Sequence, residues 1–334
     1  MLTELFERRL VIVLGKGGVG KTTLSAGLAL CAARRGLRVL AMETDSRAPL
    51  AAPFGVHPSF DPVEVEPRLS TMVLDGGRAL DEYLGLVLRA RAVLKAVFAS
   101  RLYQFFVQAA PGLRELMMLG KVYYEVSQKK DDARQWDLVI VDAPASGQAL
   151  SLLKMPTAAR ATFGNSIVGH EADNIGRMLH DRRICALVEV ATPETLAVSE
   201  LIESRKALAA IDLHPAAVVL NRAFAVNYNA SDLDTFRRRA ESSGKYHHLD
   251  ALIEIARGEL ERAGYTPKAH AELSRHARSA LLETPDFTNL HGSALLSELA
   301  SFFASRLNID HQRHGAAGDD RTAASGRNVQ DGME

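Results

Sequence analysis

The sequence predicts an α/β fold built on a doubly wound, mainly parallel sheet with helices on both faces. Three observations predict it. Strand-like and helix-like stretches alternate over the first 222 residues, the pattern of successive strand, crossover, strand units. The strand candidates are short β-branched or leucine runs without strict alternation, as expected of strands covered on both faces. The first of them, in "LVIVLGKGGVGKTTLSAGLAL" (10–30), passes through a glycine-rich turn directly into a helix.

Along the chain, strands are expected at Leu10 to Leu14, Arg38 to Met42, Leu69 to Leu74, Asp137 to Val141, Ile184 to Val190 and Ala216 to Leu220. Between Gly77 and Lys130 helical propensity dominates, broken at Pro111 and Gly112, and this reads as a helical insertion (about 77–130) in the sheet. Residues 229–275 are charged and helical, with breaks expected at Gly244 and Gly264. A further helix is expected from Ser293 to Leu307. The tail 308–334 has almost no apolar content and is expected to be disordered. At about 150 residues per domain the 334 residues allow two domains at most. Residues 1–307 are read as one.

Forty basic and forty acidic side chains cancel, which argues against a protein held on nucleic acid or acidic lipid by bulk charge. The opening "MLTELFERRLVIVLG" lacks the basic leader and apolar stretch of a signal peptide. No window reaches the roughly 18 apolar residues of a membrane span, so no stable membrane insertion is expected. The two cysteines, Cys31 and Cys185, lie in apolar segments far apart in sequence. They are expected to be buried, reduced thiols of a cytoplasmic protein.

The strongest motif is Gly15-Lys16-Gly17-Gly18-Val19-Gly20-Lys21-Thr22, which fits G-x-x-x-x-G-K-[ST] with a strand before it and a helix after. Such a loop turns successive N–H groups inward around phosphates, and the helix start adds its positive end. Gly15, Gly17, Gly18, Val19, Gly20, Lys21, Thr22 and Thr23 are therefore expected to bind a nucleotide. Lys21 is expected to reach the β and γ phosphates, and the Thr22 hydroxyl to ligate magnesium. Lys16 is a second lysine, too early in the loop to fold back easily onto its own phosphates. It is either a solvated loop lysine or one that reaches across to a nucleotide held by a facing subunit, as an arginine finger does.

Two further stretches follow strands. Glu43-Thr44-Asp45-Ser46-Arg47 comes after the second, and "WDLVIVDAPASGQALSLLKMP" (136–156) contains the fourth. An aspartate at the C-terminal end of a parallel strand lies beside the phosphate site, so Asp142 is expected to help hold magnesium, unless it is a plain strand-end aspartate. Gly147 is placed to present its N–H to the γ-phosphate and to move on hydrolysis.

The spacing KGGVGKTT resembles the deviant Walker A ATPases, a group of P-loop NTPases. The pattern D-A-P-x-[ST]-G-x-x-L-x-L-L-x-x-P of residues 142–156 is similar to the second switch of their ArsA branch, the arsenical-pump and guided-entry ATPases. "APGLRELMMLGK" and "VVLNR" (218–222) are similar to segments of short bacterial ArsA-like ATPases. The resemblance runs from about residue 10 to 225. It implies a magnesium-dependent ATPase working as a nucleotide-sandwich dimer, either a homodimer or a heterodimer with a paralogous chain. It further implies Asp45 as the first-switch aspartate that orients the attacking water, and Asn221 as a hydrogen-bonding partner of adenine, the alternative being a strand-end cap.

Two departures stand against the family pattern. Ser46-Arg47 replaces Pro-Ala after Asp45, and Gln148 replaces the histidine after the switch glycine. They leave open a nucleotide-dependent scaffold, or a silent half of a heterodimer, with little hydrolysis of its own. Cys31 and Cys185 cannot form the three-cysteine site that soft arsenite requires. The aromatic and methionine side chains of residues 97–119, among them Phe98, Tyr103, Phe105, Phe106, Met117 and Met118, are either a surface for a hydrophobic client or ordinary core. A protein client or a membrane transport partner is thus expected, and no nucleic acid.

Overall fold

The computed structural model describes residues 2–44, 50–87, 112–130, 133–243, 249–276, 279–287 and 289–306. After a short helix α1 (Leu2–Phe6), the chain runs β1 (Leu10–Gly15), α2 (Lys21–Arg34), β2 (Val39–Glu43), β3 (Val63–Glu66), β4 (Leu69–Val73) and α3 (Gly76–Val87). It continues through α4 (Leu113–Ser127), a minimal hairpin of β5 (Lys129–Lys130) and β6 (Ala133–Arg134), β7 (Leu138–Asp142), α5 (Ser146–Phe163), α6 (Ile167–His180) and β8 (Cys185–Ala191). The last described elements are α7 (Thr195–Ala209), β9 (Ala217–Ala223), α8 (Ala230–Ser243), α9 (Leu249–Ala263), α10 (Tyr265–His276), β10 (Ala280–Pro285) and α11 (292–306).

Eight strands form one sheet in the order β10-β9-β8-β1-β7-β2-β4-β3, parallel throughout except for the β3/β4 edge pair. The chain leaves β1 for β2, reaches β3 and β4 at the edge, and returns to insert β7 between β1 and β2. It then crosses to β8 on the other side of β1. The order therefore reverses around β1, and in open α/β sheets ligands bind at the carboxyl ends of the strands at such a reversal.

Both faces of the sheet are dry, because successive side chains of a strand point to opposite faces. Val11 and Val13 of β1, Val39 and Ala41 of β2, and Leu138 and Ile140 of β7 join one core with α2, α10 and α11. Their neighbours Leu10, Ile12, Leu40, Met42, Val139 and Val141 join a second core with α4, α5 and α6. This is the doubly wound architecture that the unalternated apolar runs implied.

The six expected strands are all present within a few residues. Among the described residues, two further strands of this sheet were not expected, nor was the separate two-residue hairpin β5/β6. β3 is an edge strand in which Glu64 and Glu66 are exposed between half-buried valines, and so charged a segment does not resemble a buried strand. β10 ends in a proline and carries a glutamate, yet it pairs parallel to β9; the sheet therefore extends past residue 222. The break at Gly264 lies between α9 and α10, whereas Gly244 is outside the described residues.

Of the helical insertion, α3 and α4 are described and 88–111 is not, so Phe98, Tyr103, Phe105 and Phe106 lie outside the described residues. Within α4, Leu116, Met117 and Leu119 are buried core. A cavity of about 380 Å³ opens between α3, α4 and α6, walled by Leu86, Leu116, Met117, Val168 and Ile175 and edged by tyrosines and glutamates. The tail beyond 306 is likewise outside the described residues. No described helix is long and apolar enough to cross a membrane.

Glu189 in the middle of β8 is 1% exposed; Arg205 Nε donates to its Oε2 at 2.8 Å, while Oε1 has no hydrogen-bond partner among the described residues. Burial pushes its carboxyl up to about 7, against the pull of Arg205. A folded-state pKa above the unfolded one makes the native state prefer the proton, so the associated stability is fully present below about pH 4.5 and is lost as pH rises through 7, roughly 3 kcal/mol in all. Urea melts at several pH values test this: wild type should lose stability relative to Glu189→Gln between pH 4.5 and 7. A constant difference would show that the Glu189 pKa is the same folded and unfolded.

Candidate nucleotide site

The loop between β1 and α2 sits at the carboxyl edge of the sheet, with Gly15 opposite Val190 of β8. Gly20 caps α2 with φ 90 and offers no side chain to the helix amides. The first amides of a helix have no intrahelical partner, so a helix start capped by glycine presents them, with the positive end of the dipole, to an anion. Gly20 is also required sterically: a Cβ there would lie 2.4 Å from Asn221 Nδ2. Eleven of the fourteen α2 residues are buried, so the loop is fixed to a helix sealed between the sheet and α11.

Three predicted residues converge at the start of α2. Thr22 Oγ1 donates to Asp142 Oδ2 at 2.6 Å, joining the first turn of α2 to the end of β7. Ser25, one turn further along α2, donates to the other carboxylate oxygen of Asp142 at 3.4 Å. Lys21 is buried, and its Nζ donates to the Lys16 carbonyl at 3.0 Å. Asp142 is itself buried at 7% exposure. It lies in register with Glu43 at the end of β2, which is also buried and accepts from the Leu50 amide.

Asn221 ends up against the loop from the other side. Its Nδ2 donates to the Val19 carbonyl at 2.8 Å, and its Oδ1 accepts from Thr284 Oγ1 of β10 at 2.7 Å. A primary amide has two N–H bonds and two lone pairs, so one of each is left beyond these two contacts. Beside it opens a cleft of about 180 Å³ lined by Gly20, Thr23, Asn221, Arg222, Asp286 and Phe287 among others. Arg222 holds φ 57, a left-handed conformation that costs a non-glycine residue about 1 kcal/mol or more and is common at binding sites.

Gly147 occupies the second position of α5, and outside its own helix and chain neighbours no described atom lies within 4 Å of where a Cβ would sit. Gly17 and Gly18 are equally open. Asp45, Ser46 and Arg47 lie outside the described residues. Lys16 does not point back into the loop; its Nζ is 3.5 Å from Glu200 Oε2 on α7.

Sequence reasoning missed Ser25, Glu43, Thr284 and Glu200. A helical repeat of one turn from the motif threonine is a signal for Ser25, since i and i+3 share a face. For Thr284 and Glu200 no local signal exists, because their partners are 63 and 184 residues away.

The hard oxygen donors of Thr22 and Asp142 fit a magnesium ion, which takes one or two protein oxygens and completes its shell with phosphate and water. The thiols do not fit a soft metalloid. Cys31 and Cys185 are both buried, and burial pushes them up to about 11 and about 12 respectively, so neither supplies a thiolate near neutrality.

The family model described as "Anion-transporting ATPase" matches residues 8–172, from β1 through the second switch and into α6. The chain is 29% identical over 232 residues to the ATPase BagA of Mycobacterium tuberculosis, covering 67% of this chain and 68% of that one. It is 28% identical over 143 residues to a protein of Aquifex aeolicus named as an arsenical pump-driving ATPase (42% and 46% covered). It is 29% identical over 148 residues to the ATPase ASNA1 homolog 1 of Paramecium tetraurelia (44% and 43% covered). A chain that folds this loop onto this sheet and matches these ATPases over it is an ATPase, similar to the ArsA family from the phosphate loop through the second switch.

Proposed function

We propose that the chain is a magnesium-dependent, nucleotide-gated switch whose hydrolytic site is completed by a second copy or by a paralogous chain. The 2.6 Å contact between Thr22 and Asp142 carries the reading: it brings the motif hydroxyl and the strand-end carboxylate together where the α2 amides point. Bound with the nucleotide, magnesium would neutralise phosphate charge.

In this reading the loop amides and Lys21 bind the β and γ phosphates, and Thr22 and Asp142 hold the metal. The Gly147 amide, in the first turn of α5, senses the γ-phosphate. Asn221 uses its remaining N–H and lone pair on the adenine, and the cleft beside Thr23 and Phe287 receives the base. Asp45, by family resemblance, orients the attacking water. Catalysis of phosphoryl transfer is mostly positioning and charge neutralisation, and Lys16, on the outward side of the loop, supplies charge to the facing subunit's nucleotide. The apolar walls of the α3/α4/α6 cavity support a hydrophobic protein client or transport partner as the reader of the switch. Residence in the cytoplasm is part of the proposal.

Magnesium-dependent hydrolysis measured against protein concentration tests it. Specific activity is expected to rise with concentration to a plateau. A value constant down to nanomolar chain overturns the shared site, and turnover seen only after a paralogous chain is added assigns the second half to that chain.

A further inference from the structure

We propose that Glu200 is a latch that parks Lys16 on its own chain and releases it only when two nucleotide-loaded loops close on each other. The inference rests on the trans role assigned to Lys16 above and names what holds that lysine beforehand. Lys16 Nζ lies 3.5 Å from Glu200 Oε2, and the two side chains are 38% and 39% exposed. An ion pair this exposed biases an equilibrium by roughly two- to fivefold. That is enough to hold a flexible side chain and too little to compete with a polyphosphate.

The topology makes the contact. β8 is hydrogen-bonded to β1, with Gly15 opposite Val190, so the phosphate loop and the start of α7 leave the sheet at the same edge. Lys16 is held at both ends: its ammonium by Glu200, its carbonyl by Lys21 Nζ at 3.0 Å. Swinging the ammonium away needs only side-chain torsions, so Lys16 can change partner while the carbonyl contact with Lys21 stays in place. Leu196 lies one turn earlier on α7, on the same face as Glu200, and is 72% exposed. The latch thus borders surface that a facing copy would cover. Each dimer has two latches, so the latch factor enters the dimer equilibrium squared.

The test compares full-length wild type with Glu200→Gln by two readouts. The first is the rate at which trace acetic anhydride acetylates Lys16 in the dilute, nucleotide-free chain, read by mass spectrometry against exposed Lys154. Loss of the latch is expected to raise it two- to fivefold. The second is the protein concentration at half-maximal ATP hydrolysis, expected to fall about fourfold or more. Unchanged labelling overturns the latch whatever the activity does. Faster labelling with an unchanged or higher midpoint, or a tenfold lower plateau, overturns it as a brake and makes Glu200 part of the closed interface. Wild-type activity independent of concentration overturns the trans reading, and the latch's purpose with it; the labelling ratio tells that failure apart from absence of the pair.

Discussion

Lys16→Ala is expected to lower ATP turnover at least about a hundredfold, while nucleotide affinity of the dilute chain stays within about threefold. Lys21→Ala is expected to lower both. The two lysines stand five residues apart in one loop, yet the structure treats them differently. Lys21 is buried at the start of α2, beside Thr22 and the amides that would surround the phosphates. Lys16 is more than a third exposed and turned towards α7. A charge placed against the transferring phosphoryl from a second subunit acts on the transition state and contributes little to ground-state binding. A single such donor is worth about 10²–10³ in rate, and a trans arginine up to about 10⁵; a lysine, as a point charge, belongs at the lower end of that span. Single-turnover hydrolysis and titration with a fluorescent ATP analogue separate the two effects. If Lys16→Ala weakens binding as much as Lys21→Ala does, Lys16 serves the nucleotide of its own chain and the shared site is wrong.

Phe303→Ala is expected to cost about 3–5 kcal/mol of stability, the range for deleting a fully enclosed aromatic side chain. Phe303 is 0% exposed, the largest such side chain in the described core. It is the anchor of α11, which lies over α2. The approach is closest at Gly27, where a Cβ would come within 2.9 Å of Leu299 and 3.4 Å of the Phe303 ring. Domains of this kind have about 5–15 kcal/mol in total, so the loss is a large share. Because α2 carries the phosphate loop, undocking α11 should also raise amide exchange along α2. Urea unfolding and exchange mass spectrometry check both. A loss under 1 kcal/mol would mean that α11 is not part of the cooperative core.

The phosphate loop and the central strands were legible because their signals are local. Glycines that permit positive φ, a lysine and a hydroxyl at fixed spacing, and apolar runs too short for helices need no distant partner to be recognised. The same holds for Asp142, since the end of a parallel strand is placed by the strand itself. β10 was not legible: "ALLETP" has only three apolar residues before a glutamate and ends in proline, and only the pairing with β9 makes it a strand. Asn221 was singled out only by resemblance, and its contacts to Val19 and Thr284 were not legible at all.

By itself, then, the sequence determined which chemistry the chain carries: a doubly wound α/β sheet, a phosphate loop with a second lysine, and a strand-end aspartate at the right distance along the chain. Only the tertiary structure decided which side chains meet. Lys16 meets Glu200 because β8 happens to be the neighbour of β1, and Thr284 meets Asn221 because β10 closes the sheet beside β9. Spacing along a chain fixes contacts within a strand, a turn or a helix. Contacts across strands depend on the order in which the sheet is assembled, and residues 184 and 63 positions apart have no periodicity to announce them.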